Sequence, residues 1–198
     1  MRCQTINRTT NETSIELQIN LDGCGETYID TGIGFFDHML THIGKHSGMD
    51  LTLKATGDLI IDAHHTVEDV GIVLGKAIGR ALGDKKGIKR YGDRILPMDE
   101  ALVLCALDLS GRAYLDLEAT FKSERVGTFD TQLVEEFFRA VAFNAGMNLH
   151  IQVLKGRNDH HIIEGVCKAF AKALGEAISQ DMRCGGIPST KGVLEEVE

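Results

Sequence analysis

The chain has 198 residues, 43% of them hydrophobic and 25% charged, with a formal net charge of −8. A chain of that length buries a sizeable core as one domain or two small ones, and this composition excludes a disordered or low-complexity protein. Net acidity with scattered basic residues argues against a general nucleic-acid surface, and no stretch has the roughly 18 apolar residues of a membrane span.

In chain order, the apolar spacing predicts a strand or hairpin up to about Leu21 and a helix from about Ile33 to Lys45. A strand over Met49 to Ala55 and a long helix from about His64 to Leu82 follow. The order then recurs. Ala101 to Leu107 and Ala113 to Ala119 are strand-like, Gln132 to Asn144 is helical, Met147 to Leu154 is a strand, and Asp159 to Ser179 is a long helix. Gly48-Met49-Asp50-Leu51 matches Gly146-Met147-Asn148-Leu149, so the reading is an internal duplication, residues 1–93 and 94–198. The fold class expected is α+β, two β-β-α-β-α half-domains sharing one core, with helices packed between two sheets.

The repeat carries chemistry. His64-His65-Thr66-Val67-Glu68 returns as His160-His161-Ile162-Ile163-Glu164, each opening a predicted long helix. Positions four apart share a helix face, so His64 with Glu68, and His160 with Glu164, can each chelate one ion. The middle histidines, His65 and His161, point about 100° away around the helix and serve something else, most economically a second metal. Aligning the Gly-Met pairs sets His38 opposite Glu136. Under that pseudo-twofold, one ion takes His38 and His65 with His160 and Glu164, and its partner takes Glu136 and His161 with His64 and Glu68. Imidazole and carboxylate without thiolate suit Mn, Fe, Zn, Co or Ni, and the glutamate spacing is not that of HExxH.

Other residues bear on a site. His38, His42 and His46 form one helical stripe, with His38 the expected ligand and the other two divided between substrate contact and solvation; His150, in an apolar strand, reads as structural. Arg90, Arg112 and Lys191 are candidates for an anion pocket, the last within Gly186-Ile187-Pro188-Ser189-Thr190-Lys191-Gly192, where the alternative is a mobile tail. Glu12 and Glu100 precede corresponding strands and are acid/base candidates. The five cysteines, Cys3, Cys24, Cys105, Cys167 and Cys184, form no CxxC pair and read as reduced interior thiols. Together with the absence of a signal-peptide core in Met1-Arg2-Cys3-Gln4-Thr5-Ile6, this leads to an expectation of cytoplasmic residence.

Phe35-Phe36-Asp37-His38-Met39-Leu40, Asp62-Ala63-His64-His65-Thr66-Val67-Glu68-Asp69, Asn158-Asp159-His160-His161-Ile162-Ile163-Glu164 and Ser189-Thr190-Lys191-Gly192 together resemble the imidazoleglycerol-phosphate dehydratase family over nearly the whole chain. The resemblance implies a duplicated half-domain fold of the ribosomal protein S5 domain 2-like type. It also implies the monofunctional form of a lyase of L-histidine biosynthesis, converting D-erythro-imidazole glycerol phosphate to imidazole acetol phosphate. Two Mn2+ ions per active site, and a homo-oligomer of 24 subunits built from trimers with active sites between subunits, belong to the same implication; no nucleic acid or membrane partner does. With Glu136 added by the internal repeat, the metal positions would be His38, His64, His65, Glu68, Glu136, His160, His161 and Glu164, and the catalytic positions Glu12, Glu164, His38 and His65. With His42 and His46 from the helical stripe and Thr190 from the C-terminal motif, substrate contacts would fall on Glu12, His42, His46, Arg90, Arg112, Ser189, Thr190 and Lys191. Two positions depart from the family pattern: Glu136 stands where many members carry histidine, and His42 where glutamine is common. A dinuclear metallohydrolase of a phosphorylated small molecule, or a metal-storage scaffold, are the competing classes.

Overall fold

The computed structural model describes residues 2–183 and 185–194. The first half opens with the hairpin β1 (Cys3–Thr9) and β2 (Thr13–Asn20), then a short strand β3 (Thr27–Asp30), helix α1 (Gly34–Ser47), β4 (Asp50–Gly57) and helix α2 (His64–Leu82). The second half repeats this as β5 (Tyr91–Met98), β6 (Ala101–Asp108), β7 (Tyr114–Glu118), α3 (Leu133–Ala145), β10 (Asn148–Lys155) and α4 (Asp159–Ile178). A small ribbon of β8 (Arg125–Val126) and β9 (Phe129–Asp130) is inserted before α3. The repeated β-β-α-β-α unit is present in both halves, each with a further short strand ahead of its first helix.

The sheets have matching orders, β1-β2-β4-β3 and β5-β6-β10-β7, with the last pair parallel in each. Register is equally matched: Asn20 pairs with Asp50 as Asp108 pairs with Asn148, and Thr27 with Leu51 as Leu115 with Leu149. In β2 the buried positions alternate through Thr13, Ile15, Leu17 and Ile19, and in β6 through Ala101, Val103, Cys105 and Leu107. Each sheet therefore turns one face inward onto the helices. The loop from β4 to His64 is two residues longer than that from β10 to His160, which accounts for the shift between the two repeat alignments.

Helix ends are set locally. Gly48 and Gly146 close α1 and α3 in the left-handed conformation, at φ 80° and 62°, their amides donating to Gly44 and Ala142 carbonyls. At the start of α4, Asn158 Oδ1 accepts from the His160 and His161 amides, and Asp62 Oδ1 accepts from the His64 amide at 2.8 Å. Corresponding side chains thus fix the first turn of both histidine-bearing helices.

Between the sheets, α1 packs on α4 and α2 on α3, so every helix of one half is paired with a helix of the other. These contacts are close. A Cβ on Gly75 would lie 2.6 Å from the Val141 carbonyl oxygen, and one on Gly175 2.5 Å from that of Ser47. The core runs continuously from Ile15, Leu17 and Ile19 through Leu74 and Ile78 to Phe138, Phe170 and Leu174. No helix among the described residues is long and apolar enough to cross a membrane.

The cysteine expectation holds in part. Cys105 and Cys167 are buried, and burial pushes both thiols well above their ordinary range. Cys3 and Cys24 are exposed: Cys3 falls on the outward phase of an edge strand and Cys24 in the turn before β3. Cys184 lies outside the described residues.

The helix contact yields a test. Gly75→Ala should destabilise by about 1–3 kcal/mol through overpacking, against alanine's intrinsic helix advantage of about 1 kcal/mol. Gly34→Ala, where nothing lies within 4 Å of the added methyl, should be neutral or slightly stabilising. Urea unfolding of the two variants checks the contrast.

Candidate metal centre and anion pocket

Because α1 packs on α4, the stripe His38, His42 and His46 faces the first two turns of α4. His38 Nε2 and His160 Nε2 approach the same Glu164 oxygen, at 3.4 and 3.1 Å, and the ligand atoms of all three residues lie within 4.8 Å of one another. Glu164 is buried, whereas His38 and His160 are about half exposed, so the cluster opens outward. Its other carboxylate oxygen meets Lys168 Nζ at 2.5 Å and His42 Nε2 at 3.4 Å. Burial alone would raise the Glu164 carboxyl, but Lys168 and His42 overcome it and hold the group at about 2. His42 is lowered to about 4, first by burial, against the pull of Glu164.

The repeat-equivalent positions lie on α2 and α3, where the three side chains are not drawn together as those of the first cluster are. His64 Nε2 stands 3.5 Å from Glu68, and Glu136 and His64 line a depression of about 650 Å³. The pseudo-twofold therefore relates {His38, His160, Glu164} to {Glu136, His64, Glu68}. Its surroundings are not equivalent: Ala140 and Ile72 occupy the repeat positions of His42 and Lys168.

His65 and His161 leave these clusters, as their phase on the helix requires. His65 Nδ1 lies 3.0 Å from Asp58 and its Nε2 3.8 Å from Glu12; His161 Nδ1 lies 2.7 Å from Glu100 and its Nε2 3.6 Å from Asp99. A carboxylate on Nδ1 leaves Nε2 presented outward in both, and raises both imidazoles above their ordinary value, Asp58 being the main cause for His65 and Glu100 for His161. Glu100 is pulled down to about 2 by His161 and by the amides of Asn158 and Arg157. Within one chain, then, neither His65 nor His161 reaches the cluster that the sequence assigned to it.

The basic candidates gather elsewhere. Arg90, Ser110, Arg112, Ser189, Thr190 and Lys191 line a depression of about 670 Å³. Arg90 is engaged: its Nε and a terminal nitrogen donate to Asp108 at 2.6 and 2.9 Å, and the other donates to the Pro188 carbonyl at 2.8 Å. That bond, with Gly87 N–H to Gly186 O at 2.9 Å, seats the C-terminal segment against the second sheet. Among the described residues, Arg112 and Lys191 have no ion-pair partner. His150 stands apart on the outer face, beside Asp116 and the Tyr114 ring.

Lys168, Asp58 and Asp99 are site neighbours that sequence reasoning missed. Lys168 had a signal, since it follows Glu164 by four residues on one helix face. Asp58 and Asp99 sit in loops, where no periodicity points to a partner.

A sequence model of the imidazoleglycerol-phosphate dehydratase family matches residues 31–174. The chain is 61% identical over 189 residues to the imidazoleglycerol-phosphate dehydratase of Acetivibrio thermocellus, covering 96% of this chain and 97% of the relative. To that of Listeria welshimeri it is 60% identical over 194 residues, covering 98% and 100%. Among solved structures, the Staphylococcus aureus imidazoleglycerol-phosphate dehydratase superposes with a TM-score of 0.83 at 44% identity, over 90% of this chain and 99% of that one. The Pyrococcus furiosus structure does so with 0.82 at 36%, over 96% and 100%. Duplicated halves and a histidine–carboxylate cluster at their helix seam, with these relatives, define a hydro-lyase carrying a metal-binding group. The chain belongs to the imidazoleglycerol-phosphate dehydratase family.

Arg90→Ala should release the segment over 186–191, raising its amide hydrogen exchange, because both the Pro188 tether and the Asp108 pair are lost. Arg94→Ala, which removes only an exposed contact to Glu176, should leave that exchange unchanged.

Proposed function

We propose that this chain removes water from D-erythro-imidazole glycerol phosphate to give imidazole acetol phosphate, with two Mn2+ ions per active site. The observation that carries the reading is the convergence of His38, His160 and Glu164 at the α1–α4 seam, with Glu136, His64 and Glu68 at the repeat-equivalent positions of the α2–α3 seam. The donors fit the ion: imidazole and carboxylate without thiolate, around a buried carboxylate that Lys168 keeps ionised against its burial, suit a hard-to-borderline divalent cation. Since His65 and His161 turn their Nε2 atoms outward on the same helices, the fourth ligand of each ion is His65 or His161 of a neighbouring copy. That supports active sites between subunits, in the 24-subunit assembly of trimers that the family resemblance implies.

When bound, the ions supply Lewis acidity that draws charge from the substrate's imidazole ring and orients it. The chain's residues do the rest. Lys168 holds Glu164 ionised and His42 packs beside it, so the seam is preorganised. Glu12, an exposed carboxylate near the outward nitrogen of His65, removes the proton from the carbon next to the one that loses hydroxide; proton and hydroxide leave together as water, and the resulting enol becomes the ketone. Arg112, Ser189, Thr190 and Lys191 grip the phosphate, and Arg90 shapes that pocket by holding Pro188, so remote binding fixes the reacting carbons.

The test is an assay of the purified protein on imidazole glycerol phosphate, with metal content measured alongside. Ketone product without inorganic phosphate is expected; phosphate release would turn the reading to a metallohydrolase. In the same assay His65→Ala and His161→Ala should each lower metal per chain and turnover, and full metal occupancy in either variant would sink the shared-ligand arrangement.

Glu136 has its own test. Glu136→Gln should weaken one ion selectively, because an amide oxygen lacks the charge that favours Mn2+, while Glu135→Gln, whose parent pairs with Arg139, should not. Equal metal affinity in wild type and Glu136→Gln would remove Glu136 from the ligand set.

A further inference from the structure

The duplication provides an internal control for the anion pocket, and this inference rests on the reading that the pocket grips the substrate's phosphate. Strand register makes residues 88 positions apart equivalent on the outer strands: Cys3 and Tyr91 pair with Asn20 and Asp108, and Thr27 and Leu115 pair with Leu51 and Leu149. The turn Asp22-Gly23-Cys24-Gly25-Glu26 is thereby the counterpart of Ser110-Gly111-Arg112-Ala113-Tyr114, Arg2 the counterpart of Arg90, and Asp50 that of Asn148. Arg2 and Arg90 even make matching main-chain contacts, their carbonyls accepting from Leu21 and Leu109.

In the first half the turn is filled from within. Asp50 Oδ1 accepts from the amides of Cys24, Gly25 and Glu26 at 2.9, 3.0 and 3.0 Å, and Asp22 neutralises Arg2 through Nε and a terminal nitrogen. Those amides, that of Glu26 foremost, hold the Asp50 carboxyl below its ordinary range, so its charge persists wherever the protein is folded near neutrality. A Cβ on Gly23 would strike the Asp50 carboxylate at 2.2 Å. The first turn is an anion nest occupied by its own carboxylate.

In the second half both carboxylates are gone from those positions and a cation is added. Ser110 replaces Asp22, Asn148 replaces Asp50 and Arg112 replaces Cys24. Asn148 no longer accepts from the turn. Its Nδ2 donates to the Arg112 carbonyl at 2.5 Å, and the Arg112 amide turns to Ser110 Oγ at 3.3 Å. The carbonyl acceptor fixes the amide's orientation, and a carboxylate could not make that bond.

We propose that Asn148 is a positioning and specificity residue of this pocket: its amide tethers the turn that presents Arg112, and its neutrality keeps the pocket open to an external phosphate that the equivalent aspartate would displace. An aspartate there would set a fixed negative charge beside Arg112 and oppose a phosphate of like sign, as Asp50 already does in the sister turn.

The experiment uses the full-length, metal-loaded protein and reads kcat and KM for imidazole glycerol phosphate, the inhibition constant of inorganic phosphate, metal per chain and Tm. Asn148→Asp should raise KM and the phosphate inhibition constant at least tenfold, with kcat within about twofold and metal content unchanged. Asn148→Ala, which loses the tether but adds no charge, should raise both constants by a smaller factor, about threefold. Arg112→Ala is the reference for the underlying reading. If it raises KM strongly while Asn148→Asp leaves KM and phosphate inhibition within twofold of wild type, the role of Asn148 is overturned and the phosphate pocket stands. If Arg112→Ala leaves KM unchanged, the pocket reading fails and takes this proposal with it. Should Asn148→Asp fold poorly, Asn148→Ala decides: a fall in kcat or metal content at unchanged KM would mark the residue as merely structural.

Discussion

The approach of each helix of one half to a helix of the other governs the rest of the molecule. Gly71 and Gly75 bring α2 against the backbone of α3, and Gly175 brings α4 against the end of α1, at separations that a methyl group would prevent. Ligand-bearing side chains on short first turns reach only a few ångströms, so the seam has to be this tight for His38 to meet His160 and Glu164. The sheets hold the helices from outside through alternating apolar faces, while the glycines set the spacing between them. Packing and coordination are thus one geometric condition: the helical phase that turns Val67, Val70 and Leu74 into the core also turns His64 and Glu68 to the seam and His65 away from it.

The two halves keep the same frame and differ in charge. At the α1–α4 seam the carboxylate is buried, ionised and braced by Lys168 and His42; at the α2–α3 seam the corresponding positions are Ile72 and Ala140, and Glu68 is about half exposed. At the turns before β3 and β7 the difference runs the other way, with carboxylates in the first half and cations in the second. A duplication supplies equivalent positions without cost in fold, and single substitutions at those positions give each copy its own electrostatic character.

Much of this was legible from residues alone, for identifiable reasons. Long helices with unbroken apolar phase, such as Val67-Val70-Leu74-Ile78, declare their limits, and α2 begins and ends where the spacing says. Strands β3 and β5 did not: β3 has four residues, and β5 is an edge strand interrupted by Gly92 and Pro97 with little buried. The histidine–glutamate spacing set His64 beside Glu68 and His160 beside Glu164, because helix geometry is local. Which helix faces which is not local, so the pairing of His38 with α4 rather than with its own half needed the repeat, and the carboxylates behind His65 and His161 needed the loops in space. Cys3 and Cys24 were misread because residue type suggested burial while strand phase and turn position dictate exposure.

The crossed helix pairing also bears on how the chain is made. α1 presents Phe36, Met39, Leu40 and Ile43 to a core completed by α4, which follows it by more than a hundred residues. During vectorial synthesis the first half leaves the ribosome with a formed hairpin and two amphipathic helices but no partner for either seam. Until α3 and then α4 emerge, those apolar faces remain open to other chains, and the loop that α1 and α4 must close is among the longest in the molecule. The seam at α1 therefore cannot close before α4 emerges, and a nascent chain stalled before α4 would carry the histidine stripe of α1 without the carboxylate that organises it.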